Sequence, residues 1–143
     1  MTILNEIEDK LSNKENLPKK LYHLTPLEYY DYIQKEGLKI DKSESSLQGI
    51  FLTDNINVAK NYAYMRPEYS DFIILVIDGT KLDVSKIGPD NYEFPDLISQ
   101  MNDDESEKYN LDSWEDSLMV SNQIVYYDDI SLDKIIKIIK YKS

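Results

Sequence analysis

The segment that most constrains the fold is DFIILVI over residues 71–77, which contains the longest apolar run of the chain. The run is rich in β-branched residues and has a length typical of a strand. It is too short to cross a bilayer, since a spanning helix needs about 20 residues. Because polar and apolar residues do not alternate in it, the sequence predicts a strand that is buried on both faces.

Three helices are predicted before this strand. Apolar spacing indicates an N-terminal helix over residues 2–13. A second helix is expected to begin at Pro26, with Thr25 as its cap, and to end at Gly37. A third is expected over residues 58–64.

Further strands are expected on both sides of the apolar segment. Residues 89–118 are expected to be irregular apart from a short helix over 96–101, with the acidic residues 103–107 in a solvated loop. Helices early and strands late favour an α+β fold with a largely antiparallel sheet. No repeat or linker divides the chain, so residues 1–143 are predicted to form one domain with its core at about 20–141. Four further strands are expected, at residues 20–24, 49–53, 122–127 and 134–141.

Composition excludes several classes of site. The chain has no cysteine and a single histidine, His23. Disulfides, thiolate zinc sites and multi-histidine metal sites are therefore excluded. The acidic residues show no EF-hand spacing, and no metal is expected.

The charge balance constrains the partners. The formal net charge is −11, from 27 acidic and 16 basic residues. Such a surface repels phosphate backbones, so a protein partner is favoured over nucleic acid. The start of the chain has neither a basic segment nor an apolar one, and no membrane association is expected. We expect a cytoplasmic protein, or one delivered into a target cytoplasm without a signal peptide.

Four short segments carry the functional signal, and each has an ordinary structural explanation when taken alone. Their order and spacing together resemble the ADP-ribosyltransferase superfamily, in particular its diphtheria-toxin-like and PARP-like branch with small bacterial or phage members. The segments are residues 21–25 (LYHLT), 49–54 (GIFLTD), 59–62 (AKNY) and 122–126 (NQIVY).

The resemblance implies an α+β fold of the ADP-ribosyltransferase type, with two small, mostly antiparallel sheets and flanking helices around an NAD cleft. It implies that His23 bonds a ribose hydroxyl of NAD, and that the backbone of Leu24 grips the nicotinamide amide, with Thr25 next to it. Phe51 and Tyr62 would sandwich the nicotinamide ring, because two aromatic faces make a slot for a flat heterocycle.

Position 123 departs from the family's pattern, since Gln123 stands where the family has a glutamate. That glutamate stabilises the positive charge that develops as the bond to nicotinamide breaks. An amide still accepts a hydrogen bond, but one about half as strong as a charge-assisted bond. Three explanations remain open: the protein binds NAD with little turnover, Asp128 or Asp129 substitutes, or a native Glu was changed to Gln to inactivate a toxic enzyme.

The expected function is therefore mono-ADP-ribosylation of a macromolecule, with NAD as the substrate and His23 and Gln123 as the catalytic residues. The acceptor is expected to be a protein, and a cognate antitoxin or inhibitor is a further partner. Two alternatives remain. One is a catalytically weak module that binds NAD or ADP-ribose, and the other is an acidic inhibitor or interaction protein.

Overall fold

The computed structural model describes residues 17–40, 49–66 and 71–142. The predicted helix over residues 2–13 lies outside this part of the chain. The strands are β1 (Lys20–Pro26), β2 (Ile50–Thr53), β3 (Phe72–Asp78), β4 (Ile87–Pro89), β5 (Gln123–Tyr126) and β6 (Ile135–Tyr141). The α-helices are α1 (Tyr30–Glu36), α2 (Ile56–Tyr64), α3 (Glu93–Ser99), α4 (Asp103–Ser106) and α5 (Trp114–Ser121).

The described strands form one six-stranded sheet in the order β4-β5-β2-β1-β3-β6. Every neighbouring pair is antiparallel, which confirms the predicted α+β class and antiparallel pairing. The described strands do not divide into the two expected sheets. The pairing between β1 and β2 is nevertheless short, with the single register pair Tyr22–Thr53, whereas seven register pairs join β1 to β3.

The apolar strand β3 is buried as predicted, between β1 and β6. Its residues alternate between two apolar layers, and each fully buried Ile or Leu side chain stabilises the fold by about 1.5–3 kcal/mol relative to its exposed state. Ile73, Leu75 and Ile77 belong to the larger layer. Phe72 and Ile74 belong to the smaller one, which packs against Ala59 and Ala63 of α2.

The helix after β1 begins later than predicted. β1 continues to Pro26, a 3₁₀ turn follows at Leu27–Tyr29, and α1 starts at Tyr30. Thr25 does not cap it, because this residue is buried within β1 opposite Ile73. The helix ends at Gly37 as predicted, with φ at 74°, and a Cβ at this position would lie 2.7 Å from the carbonyl oxygen of Ile130.

The acidic segment between β4 and β5 is more helical than predicted. Three helices, α3, α4 and α5, replace the single short helix expected there. Most of the acidic stretch forms α4, whose first turn is capped by the side chain of Asn102. Ser113 caps α5 in the same way. Carboxylates in a first turn interact favourably with the helix dipole, so these acidic residues support helix starts.

Candidate functional site

The candidate site lies where β1 and β2 separate. The register pairs between these strands end at Tyr22–Thr53. In a continuous antiparallel ladder, the next hydrogen-bonded pair along the strands would be Leu24 and Phe51. That pair is not formed, so the sheet opens between β1 and β2 from His23 onward. We call this opening the β1–β2 seam.

The direction of the β1 backbone follows from the bonds at the two ends of its ladder with β3. Gly79 N–H donates to the carbonyl of Lys19, and Leu27 N–H donates to the carbonyl of Asp71. Backbone groups alternate sides along a strand, so the odd-numbered residues of β1 bond β3. The N–H and C=O of Leu24 therefore point to the opposite side, into the β1–β2 seam.

Pro26 supports this assignment. Proline has no N–H and is tolerated in a strand where that group is not needed for the ladder. Pro26 is opposite Phe72 in the register of β1 and β3. Because residue 26 is even-numbered, its backbone nitrogen faces the β1–β2 seam and not β3. The absence of an N–H there removes no bond to β3.

A side chain bridges the β1–β2 seam at its start. His23 Nδ1 lies 2.7 Å from the carbonyl oxygen of Phe51. A carbonyl oxygen only accepts, so Nδ1 carries the proton in this contact, and in the neutral ring Nε2 is the acceptor nitrogen. His23 thus takes the backbone acceptor that Leu24 would use in a continuous ladder.

The face of the sheet beneath α2 collects the other candidate residues. Thr53 shares this face with Tyr22, its partner on β1, and with Gln123, its partner on β5. Phe51 follows two residues away on the same face and is half-buried. Phe51 and Gln123 are therefore diagonal cross-strand neighbours, a relationship that places Cα atoms about 7–8 Å apart.

A hydrogen-bond chain links this face to α2 and α3. Gln123 is 8% exposed, and its Nε2 donates to Tyr62 Oη at 2.9 Å. Tyr62 Oη in turn donates to Glu93 Oε1 at 3.5 Å, a long hydrogen bond. We call these three residues the Glu93–Tyr62–Gln123 chain.

A second set of bonds holds both ends of this chain. The carboxylate of Asp90, which is 1% exposed, accepts the N–H groups of Tyr92, Glu93 and Phe94 and so forms the start of α3. Asp90 N–H donates to Ser117 Oγ at 2.9 Å, and Ser117 Oγ donates to the carbonyl of Gln123 at 2.7 Å. Asp90, which follows β4, and Ser117 of α5 thereby fix where Glu93 lies relative to Gln123.

The surroundings of Tyr62 are electronegative. Burial raises the pKa of the Tyr62 hydroxyl, and the carboxylates of Glu93 and Asp90 raise this pKa further, while the bond from Gln123 opposes them. Negative charge beside a half-buried aromatic ring suits a flat cationic ligand. The same charges disfavour an anion at this point.

The structure brings most of the sequence-predicted residues together. His23 and Leu24 lie at the β1–β2 seam, and Phe51, Tyr62 and Gln123 lie on the face beneath α2. The side chains of His23 and Thr25 project from β1 to the face opposite to that of Leu24, Phe51 and Gln123. His23 reaches the carbonyl oxygen of Phe51 within the sheet, whereas Thr25 is 9% exposed.

The acids proposed to replace a glutamate at position 123 are in the wrong place. Asp128 follows the end of β5 that is opposite to Gln123. It pairs with Lys86, which holds the pKa of its carboxyl below the usual value. Asp129 accepts the N–H of Ile40 at 2.8 Å and lies 3.7 Å from Lys39. Both acids have structural roles away from the β1–β2 seam.

Glu93, Asp90 and Ser117 were not identified from the sequence. A signal for the first two exists, because Asp90 and Glu93 form an Asp-x-x-Glu pattern ahead of an apolar helix face, which is typical of a helix start. The pattern predicts a helix start but not that it lies against Tyr62. Nothing in the sequence near Ser117 indicates its bond to Gln123.

A cavity of about 420 Å³ lies elsewhere, between the end of α1 and residues 128–134. Asp128 and Asp129 line it, but His23, Leu24, Phe51, Tyr62 and Gln123 do not. Its lysines include Lys39, which is paired with Asp129, so it presents no concentrated positive charge. We therefore place the candidate site at the β1–β2 seam, because of its hydrogen-bonding groups, and not in this cavity.

Within residues 17–40, 49–66 and 71–142, no three His, Asp or Glu side chains are grouped so that they could hold a metal ion. No helix in the same ranges is long and apolar enough to cross a membrane. Comparison with known proteins gives no match to a family model, to a curated protein or to a solved structure.

Proposed function

We propose that this chain is a mono-ADP-ribosyltransferase of ADP-ribosyltransferase-like fold, which uses NAD to modify a macromolecular acceptor in a cytoplasm. The observation that carries the proposal is the β1–β2 seam. There the ring of His23 bonds the carbonyl oxygen of Phe51, and the N–H and C=O of Leu24 point into the opening. Leu24 and Phe51, two of the residues that the sequence pattern associates with nicotinamide, border this seam.

The backbone of Leu24 supports recognition of the nicotinamide amide. A primary carboxamide presents one acceptor oxygen and two donor hydrogens. One N–H and one C=O on the same edge of a strand complement it, in the way that a neighbouring strand would. The side chain of residue 24 plays no part in this contact, so a leucine at this position is compatible with it.

The rings and charges nearby support binding of the oxidised nicotinamide ring, which is flat and cationic. Phe51 and Tyr62 lie over the same face of the sheet, on β2 and α2. Aromatic faces attract a cation, and the attraction reaches about 2 kcal/mol or more when the site is desolvated. The carboxylate of Glu93 beside Tyr62 adds to it.

In the proposed reaction, the bond between C1′ of the ribose and N1 of nicotinamide breaks, and its electron pair stays on the nitrogen. The ring thereby becomes neutral nicotinamide. The acceptor's nucleophile forms a bond to C1′ and releases its proton to solvent. Positive charge develops on the ribose in between, where an oxygen acceptor from Gln123 and the nearby carboxylates stabilise it.

A protein acceptor is favoured by the exposed side chains next to Tyr62 and Glu93 in the sequence. Tyr64 and Met65, at the end of α2, are 75% and 74% exposed, and Tyr92, beside Glu93, is 80% exposed. Exposed aromatic and Met side chains are typical of protein-binding surfaces. The formal net charge of −11 disfavours nucleic acid.

The test measures nicotinamide release from NAD and the change in melting temperature with NAD, for the unchanged protein and for Gln123→Glu. Cell lysate provides acceptors. Binding to the folded state raises the melting temperature by mass action. We expect NAD to stabilise the protein and at least one of the two proteins to release nicotinamide. If neither protein is stabilised and neither releases nicotinamide, the proposal is wrong.

The second candidate function is an NAD- or ADP-ribose-binding module without turnover. The neutral side chain of Gln123 at the position of the family's glutamate favours it. This alternative predicts that NAD raises the melting temperature while neither protein releases nicotinamide. The same two measurements therefore separate the candidates.

A further inference from the structure

We propose that Glu93 is a positioning residue that acts through Tyr62. It orients the amide of Gln123 and supplies the negative charge that the family's pattern places at position 123. The inference rests on the proposed function, and it assigns a role to a residue that lies outside the four sequence segments. Under this proposal, Gln123 is the native residue suited to this site, and not an inactivating replacement of a glutamate.

The Tyr62 hydroxyl has a single proton to donate. An ionised carboxylate only accepts hydrogen bonds. Glu93 Oε1 lies 3.5 Å from Tyr62 Oη, and the hydroxyl of Tyr62 donates toward this carboxylate. Tyr62 Oη is then left as an acceptor toward Gln123, whose side-chain atom lies 2.9 Å away.

The proton therefore determines which end of the Gln123 amide faces Tyr62. Only Nε2 can donate to the phenolic oxygen, so Nε2 occupies that position. The Oε1 atom is directed away from Tyr62. A hydroxyl donor such as that of a ribose then meets an acceptor oxygen, which is also the contact that a glutamate would offer.

The negative charge of Glu93 acts on Gln123 through the same hydrogen-bond chain. Glu93 is two hydrogen bonds away from Gln123, and its carboxylate acts on the intervening Tyr62 hydroxyl, whose pKa it helps to raise. Interactions over such distances in a half-buried site are weakly screened by salt. Positive charge that develops beside Gln123 is therefore stabilised by Glu93 without a carboxylate at position 123.

A glutamate at position 123 would conflict with Glu93. Two carboxylates would then face one phenolic proton, and only one of them could receive it. Like charges so close together raise each other's pKa and disfavour the doubly ionised form. Glu93 and Gln123 avoid this conflict, because only Glu93 carries a charge and Gln123 is a neutral amide.

The position of Glu93 does not depend on its side chain. Asp90 holds the first turn of α3 by its backbone N–H groups, and Ser117 ties Asp90 to the carbonyl of Gln123. Changing the Glu93 side chain leaves these bonds in place. The conservative variant Glu93→Gln is therefore expected to fold.

The experiment compares four proteins for nicotinamide release and for the dissociation constant of NAD: the unchanged protein, Glu93→Gln, Gln123→Glu, and the double variant that carries both changes. We expect the unchanged protein to turn over and Glu93→Gln to lose about 10²-fold in rate, with a smaller change in affinity. Gln123→Glu is expected to be no faster than the unchanged protein. The double variant moves the charge from 93 to 123 and is expected to recover at least tenfold over Glu93→Gln.

The matched control is Asp96→Asn, which removes one charge from the exposed side of the same helix, where Asp96 bonds Gln100 at 3.0 Å. It is expected to behave as the unchanged protein. Recovery in the double variant separates a charge effect from a structural one, because a structural role for Glu93 would not be restored by a change at position 123.

Three outcomes overturn the inference while leaving NAD binding intact. They are an unchanged rate in Glu93→Gln, a tenfold or greater gain in Gln123→Glu alone, and the absence of turnover in all four proteins. Turnover that appears only in Gln123→Glu supports the proposed transferase and removes the role of Glu93. If none of the four binds NAD, the proposed function itself fails, and the inference fails with it.

Discussion

His23 Nδ1 donates to the carbonyl oxygen of Phe51 at 2.7 Å, so a side chain of β1 bonds the atom that a backbone amide of β1 would reach in a continuous ladder. The sheet is therefore joined at the β1–β2 seam by an imidazole. The same contact turns the amide of the next residue, Leu24, into the opening. The roles predicted for His23 and Leu24 depend on this replacement of a ladder bond by a side-chain bond.

The first prediction concerns His23. His23→Phe keeps a ring of similar size but removes the donor to Phe51 and the acceptor Nε2. We expect the free energy of unfolding to fall by about 1 kcal/mol, as for a typical lost hydrogen bond, and NAD affinity to fall about tenfold. Urea unfolding and calorimetric titration with NAD measure the two effects. A normal affinity for NAD would show that the ring only joins the strands.

The second prediction separates the backbone of Leu24 from its side chain. Leu24→Ala keeps the N–H and is expected to retain NAD binding, with a loss of about 2 kcal/mol in stability from the truncated side chain. Leu24→Pro also removes the N–H that points into the seam, without removing a bond to β3. We expect this variant alone to lose NAD binding. The comparison requires that circular dichroism shows both variants folded, and equal binding by both would contradict a backbone contact.

The third prediction concerns Asp54, which follows β2. Its Oδ1 atom is buried and has no hydrogen-bond partner among the described residues. Burial raises the pKa of this carboxyl, although a bond with its own backbone N–H opposes the shift. A raised pKa means that the folded state is favoured most below the ordinary value of 3.8, and that this contribution is lost as the pH rises through the folded-state pKa.

Asp54→Asn removes the charge, so we expect this variant to be more stable than the unchanged protein at pH 7, by less than about 1 kcal/mol. The difference should shrink as the pH falls below the folded-state pKa, where Asp54 is itself neutral. Urea unfolding at pH 7 and pH 3.5 provides the comparison. An unaltered or lowered stability at pH 7 would mean that the carboxylate is solvated or bound.

The fourth prediction concerns alkaline pH and Tyr62. Burial, with Glu93 and Asp90, raises the pKa of its hydroxyl above the ordinary value of 10.0. The unfolded chain then loses this proton first as the pH rises, so the contribution of Tyr62 to stability is present below pH 10 and is lost above it. Tyr62→Phe has no such proton, and its loss of stability between pH 9 and pH 11 should be smaller.

Unfolding midpoints at pH 9 and pH 11 test this difference, with Tyr64→Phe as the matched control. Tyr64 lies on the same helix and is 75% exposed, so its replacement should leave the alkaline loss unchanged. Equal slopes for the two variants would show that Tyr62 titrates as an exposed tyrosine does.

Much of the fold followed from local patterns in the sequence. The apolar segment at 71–77 predicted β3, and glycine at position 37 predicted the end of α1, where φ is positive. The start of α1 and the helices between β4 and β5 were predicted poorly. Thr25 and Pro26 form a typical helix-start signal, but pairing with β3 keeps both residues in β1. Tertiary hydrogen bonds outweighed the local preference there.

By itself, the sequence determined that His23 lies within one strand and that Gln123 lies at the start of another, since spacing along one strand or helix is a local property. Only the tertiary structure decided that β1 and β2 part after Tyr22, that Glu93 lies within 3.5 Å of Tyr62, and that Asp128 is remote from Gln123. The first two relationships depend on strand register and on helix packing between segments 30 or more residues apart, and the third on the pairing of Asp128 with Lys86. Such contacts are set by which surfaces are buried together, and no periodicity in a single segment encodes them.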